Sequence, residues 1–203
     1  MDYLNRYNDD GPIWDDAAKA EAMSAKPADY QWAVMPNRNM QIKNLIQKRD
    51  RNFYPIPILD YAKRLYVSLQ EAWMKGNAEL VRDRLTDSYL QELKELIEQY
   101  YNPKLEIHIE NISFPNAYLS FYRMENGMEY ITVYMEAQME RYATGKTTGR
   151  IVSGNKEDRE TMVNLMEFVR PVDGISDVTV FTWKLSDFLL SAKGTKDLGM
   201  KEA

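Results

Sequence analysis

The chain has 203 residues, 44% hydrophobic and 28% charged, with a formal net charge of -5 and no Cys. That length suits one domain with an appendage and can bury a sizeable core, while 4 Trp, 14 Tyr and 6 Phe argue against wholesale disorder. The missing Cys excludes disulfides, thiolate catalysis and Cys-ligated zinc, the acidic balance gives no ground for a nucleic-acid partner, and no apolar run approaches the ~20 residues of a membrane span.

Residues 1–40 read as an N-terminal arm. Its start, "MDYLNRYNDDGPIW", is acidic and polar, unlike a signal peptide. "DDAAKAEAMSAK" (15–26) suits a short helix with Asp15 and Asp16 at its positive end, stopped by Pro27. Trp14 and Trp32 flank it, and the preferred reading is that they pin the arm to the body.

In "RNMQIKNLIQKRDR" (38–51), Ile42, Leu45 and Ile46 share one helical face. Arg38, Lys43, Lys48, Arg49 and Arg51 against Asp50 leave a local charge of +4, so the rest of a chain at -5 sums to -9. A solvated helix covering the body is the plain reading. A basic surface at Lys43, Lys48, Arg49 and Arg51, touching an acidic partner or a membrane, is the sharper one.

A longer helix is expected from near Ile58 or Leu59, its stripe formed by Ile58, Ala62, Leu65, Leu69, Ala72 and Trp73. Gly76 suits a left-handed cap and Asn77 the cap of a short helix. Thr86 opens a third, with Tyr89, Leu93, Leu96, Ile97 and Tyr100 on its buried face, closed by Asn102 and Pro103. The period then falls to 2. In "LEIHIENI", Leu105, Ile107 and Ile109 alternate with Glu106, His108 and Glu110; from Ile131 to Met139, apolar residues alternate with Tyr130, Thr132, Tyr134, Glu136, Gln138 and Glu140. Segments 117–125, 161–170 and 177–185 also read as strands, and "ENGM" (125–128) as a tight hairpin. Three helices before about five sequential strands predict an α+β domain over 41–190, helices on one face of a curved antiparallel sheet, with a polar tail over 191–203.

"RYATGKTTGR" (141–150) looks like the end of a phosphate-binding loop. Such a loop needs a glycine five positions before Gly145, where Glu140 stands, and a helix after Lys146, where "TTGRIVSGNKEDRE" has no helical period. The string is therefore read as a connection between strands, and no nucleotide is expected.

"DRNFYPIPILDYAKRLYVSLQEAWMKGNAELVRDRLTDSYL" resembles the start of the mitochondrial translocase subunit 44-like domain. The matching residues are Asp50, Asn52 and Phe53; Gln70, Ala72 and Trp73; then Leu85, Thr86, Asp87 and Leu90. "TTGRIVSGNKEDRETMVNLMEFVRP" is similar to that family's hairpin and its W-x-F-x-R strand, with Met166 at the Trp position before Phe168 and Arg170, and "TWKL" to its closing W-x-L strand. The resemblance covers about residues 40–188. It implies a cone-like fold of the nuclear transport factor 2 type with an apolar groove, and binding roles: mitochondrial members tether the import motor's chaperone at the inner membrane. Leu65, Leu69, Trp73, Phe181, Trp183 and Leu185 would line such a groove, or else belong to the core.

Little catalytic chemistry is left. His108 is the lone His, flanked by Glu106 and Glu110; three metal ligands on one strand face is the sharp reading and a solvated outer face the preferred one. Glu136 and Glu140 are base candidates if their face lines the cone, solvated or dimer-facing if it does not. The resulting expectation is a non-catalytic binding module, cytoplasmic or peripheral to a membrane, without cofactor. Its partner would be a protein or an anionic lipid surface, with a homodimer through the sheet face left open. The alternative is a small-molecule isomerase or hydrolase of the nuclear transport factor 2-like superfamily.

Overall fold

A computed structural model describes residues 37–172 and 182–190. Trp14, Trp32, the 15–26 segment and Phe181 fall outside the described residues. Helix α1 spans Asn39–Gln47 and buries Ile42 and Ile46. Helix α2 spans Pro55–Lys75, three residues ahead of the expected start. Proline is favoured in a first helical turn, where the missing N–H has no intrahelical partner, so the "PIP" string opens the helix. Gly76 ends it at φ 61°, and a Cβ there would meet the Tyr101 ring at 2.8 Å. A 3-10 turn follows over Ala78–Arg84, the Asn77 side chain accepting from Glu79 N–H. Helix α3 spans Asp87–Tyr100, capped by Thr86.

The sheet is a four-stranded antiparallel meander in chain order. Strand β1 is Leu105–Glu125, β2 Met128–Gly145, β3 Ile151–Pro171 and β4 Lys184–Leu190. Four strands replace the expected five because 105–110 and 117–125 are one strand. Register shifts around 110–116 and Asn111 at φ 55° bend β1 without ending it. Of the expected 177–185 strand, residues 177–181 lie outside the described residues, and β4 is described over Lys184–Leu190. Asn126 (φ 51°) and Gly127 (φ 74°) make the β1–β2 turn. "GKTTG" is the β2–β3 turn, in which Gly145 N–H donates to Arg150 O (3.0 Å) and Gly149 N–H to Gly145 O (2.8 Å). Residues 151–171 are strand, so no helix N-terminus follows Lys146.

Ile131, Val133, Met135, Ala137 and Met139 point inward from β2 and are fully buried with side chains of all three helices. Ile107 packs beside Ala143 against Trp73 and Met74 of α2. The helices thus lie on one face of a curved, unclosed sheet, the α+β architecture expected.

Candidate functional site

Arg170 on β3 sits where distant pieces of the chain meet. Its Nε donates to Glu129 Oε1 on β2 (2.5 Å) and its Nη2 to Asp50 Oδ2 in the α1–α2 turn (3.0 Å). The Trp183 ring centroid lies 4.4 Å from the guanidinium carbon and the Phe53 ring 6.0 Å from it. Glu129 is fully buried and also accepts from Arg49 Nη2 (3.0 Å) and Tyr122 Oη (3.1 Å); Arg49 donates to Tyr122 Oη as well. Burial, with the charge of Glu129 adding to it, pushes the Tyr122 phenol up to about 12. Two guanidinium groups face two carboxylates, so the cluster is neutral. A buried carboxylate lacking such partners is costly, and here the cluster joins four pieces of the chain: the α1–α2 turn, β1, β2 and β3. Chemically this is a clamp that locks the α1–α2 turn onto β2 and β3.

Leu65, Leu69, Trp183 and Leu185, weighed above as groove residues or core, are buried in the core that α2 closes against the sheet. Trp73 is half-buried at the edge, against Ile107. The basic residues separate likewise. Lys48 and Arg51 are exposed, and Lys43 Nζ lies 4.9 Å from the Tyr54 ring centroid. Arg49 is also exposed, and its guanidinium reaches from the surface to the buried Glu129, so it is tied to the cluster while the other three are not. Large apolar side chains are exposed on α1 and at the start of α2: Met40 is 64% exposed, Tyr54 54% and Ile56 70%. Pro55 and Pro57 stiffen the segment carrying Ile56.

The family model described as the Tim44-like domain matches residues 41–189, more than half of the chain. The chain belongs to the Tim44-like domain family. Its residues Asp50 and Phe53, Arg170 and Trp183, from three separate motifs of the sequence resemblance, are the ones that converge on the clamp. No curated protein matches the chain. Among solved structures, the intermembrane space region of the chloroplast protein ARC6 is 8% identical over 65% of this chain and 95% of its own, with a TM-score of 0.39. A nuclear transport factor 2-like design, an Rd1NTF2_05 variant, is 14% identical over 64% of this chain and 96% of its own, with a TM-score of 0.30.

The acids of this Tim44-like domain that were weighed as bases lie on the sheet face away from the helices. Glu136 accepts from Asn116 Nδ2 (2.7 Å) and Tyr134 Oη (2.9 Å), and Glu140 from Asn111 Nδ2 (2.7 Å). His108 shares that face, stacked on Tyr142 at 4.6 Å with Nε2 3.0 Å from Thr144 Oγ1. Among the described residues, no three His, Asp or Glu side chains are grouped to hold a metal. Sequence reasoning missed Glu129, Tyr122 and the outer-face pair Arg123–Glu167, whose Arg123 Nη2 lies 3.2 Å from Glu167 Oε1. A signal existed for Glu129. It shares the parity of Ile131 and Val133, so the period-2 pattern carried one step back puts an acid on the buried face.

Proposed function

We propose that this Tim44-like domain works by binding rather than catalysis, and that the surface of Met40, Lys43, Tyr54 and Ile56, with Lys48 and Arg51 nearby, attaches it reversibly to an anionic membrane. The carrying observation is three large apolar side chains exposed on α1 and at the start of α2, with Lys43 over the Tyr54 ring and the intervening turn tied to β3 through Asp50 and Arg170. Lys and Arg near an anionic bilayer each contribute about 1 kcal/mol, and burying one large apolar side chain about 1.5–3 kcal/mol. Salt at physiological strength screens much of the first contribution. No described helix is long and apolar enough to cross a membrane, so the attachment proposed is peripheral. The outward placement of Glu136, Glu140 and His108, each engaged by neighbours, supports the non-catalytic part.

Co-sedimentation with vesicles containing phosphatidylserine tests the reading. The native chain should pellet at low salt and be released at high salt. Lys43→Glu/Lys48→Glu/Arg51→Glu and, separately, Ile56→Glu should stay in solution, with circular dichroism unchanged. Arg49 is left intact because reversing it would set two carboxylates against each other in the clamp. Negligible binding by the native chain would sink the membrane reading and leave a protein partner for this surface.

A further inference from the structure

Met124, near the end of β1, is 47% exposed although it is large and apolar. Its cross-strand neighbour is Glu129, the buried carboxylate of the clamp, which accepts from Arg49 in the α1–α2 turn. Two residues back along the same strand face, the Tyr122 hydroxyl also accepts from Arg49. The β1–β2 turn and the α1–α2 turn therefore lie side by side, and the latter carries the exposed cations Lys48, Arg49 and Arg51. The acid of the β1–β2 turn is Glu125, and Arg123 Nε lies 3.8 Å from its Oε2.

We infer, resting on the peripheral attachment proposed above, that the membrane-facing surface extends from Met40, Tyr54 and Ile56 across Arg49 to Met124, and that an anionic bilayer thereby holds the domain in one orientation with the β2–β3 turn directed away. A patch on one piece of chain leaves a molecule free to rock on a membrane. Contacts on two pieces do not, provided the pieces cannot move independently. The clamp supplies that condition: Arg170 holds Asp50 and Glu129 together, so the α1–α2 turn and β2 move as one. Charge selects the same pose. Helix α3 exposes Asp87, Glu92, Glu95 and Glu98 and has Lys94 as its one cation, so an anionic surface repels that flank. Strand β2 has 18 residues from Met128 to Gly145. At about 3.3 Å per residue its far end lies up to about 60 Å from its start. Ile151 and Val152, exposed on β3 at that far end, are thus kept off the lipid.

The chain has no Cys, so Ile56→Cys, Met124→Cys and Val152→Cys can each carry a single environment-sensitive NBD probe. On vesicles of phosphatidylcholine and phosphatidylserine, the probes at 56 and 124 should shift to the blue and resist aqueous dithionite. The probe at 152 should behave as it does without lipid. A shift at 56 without one at 124 would confine the surface to α1 and α2 and overturn the extension. A shift at 152 would overturn the fixed orientation. If the native chain does not pellet with the vesicles at all, the attachment itself fails, and the orientation with it. Without any probe, Met124→Gln should raise the lipid concentration for half-binding roughly threefold, with the melting temperature unchanged. Val152→Gln should leave that concentration as it is. Equal binding by Met124→Gln and the native chain would count against Met124.

Discussion

Arg170 carries more of this fold than any single position in its sequence neighbourhood suggests. Removing one partner of a buried ion cluster leaves the other charge uncompensated, at a cost of about 3–5 kcal/mol, whereas replacing both with apolar groups is often near neutral. Arg170→Met should therefore lower the unfolding free energy by about 3–5 kcal/mol, since it strands Asp50 and strips Glu129 of one of its two arginines. The double variant Arg170→Met/Glu129→Leu should lose less than the two single losses summed. Urea unfolding gives both quantities, and strict additivity would show that the pair is not coupled. Met166 fits the same picture. It stands at the family's Trp position and is fully buried, so a smaller flexible side chain fills that place in the core.

Helix α2 shows what a helical stripe decides and what it leaves open. Spacing put Leu65 and Leu69 on one face, and the structure closes that face on the sheet. If they are core in solution, Leu65→Ala should cost about 2–5 kcal/mol by removing packed methyl groups and leaving a cavity. Val67→Ala on the exposed side should stay within about 0.5 kcal/mol. Comparable small effects in thermal or urea unfolding would instead indicate a groove that water already enters. In the sheet, alternation placed the inward residues of β2, yet it split β1 into two strands. The break in period at 111–116 looks like a loop in sequence, and only pairing with β2 shows that the chain bends and continues.

Across the domain, buried phenols make stability depend on alkaline pH. Burial raises Tyr66, Tyr89 and Tyr134 above the ordinary tyrosine value, and Tyr122 to about 12. The folded state therefore favours the protonated phenol. Its contribution is full below the unfolded value of about 10 and is lost as pH rises through the folded value. Urea unfolding should show stability falling between about pH 10 and 12, and Tyr122→Phe should make that fall shallower. An unchanged slope would mean that Tyr122 ionises as it does in the unfolded chain.

Much of the architecture was legible without coordinates. Helix stripes, the Gly76, Asn77 and Thr86 caps, the Asn-Gly turn and the rejection of a phosphate loop all rest on neighbours a few positions apart, where backbone sterics and periodicity act directly. The candidate site was legible only in part. Lys48, Arg49 and Arg51 are all exposed, as a basic surface requires, but only pairing across the fold shows that Arg49 also reaches the buried carboxylate of Glu129, 80 residues on. The motif residues were visible in three separate short strings; that Asp50, Phe53 and Trp183 surround the Arg170 guanidinium follows from β3 lying beside β2 and under the α1–α2 turn. Charge, burial and partnership are properties of three-dimensional neighbours. Local pattern chose the elements, and tertiary packing decided which of their polar groups face water and which hold the molecule shut.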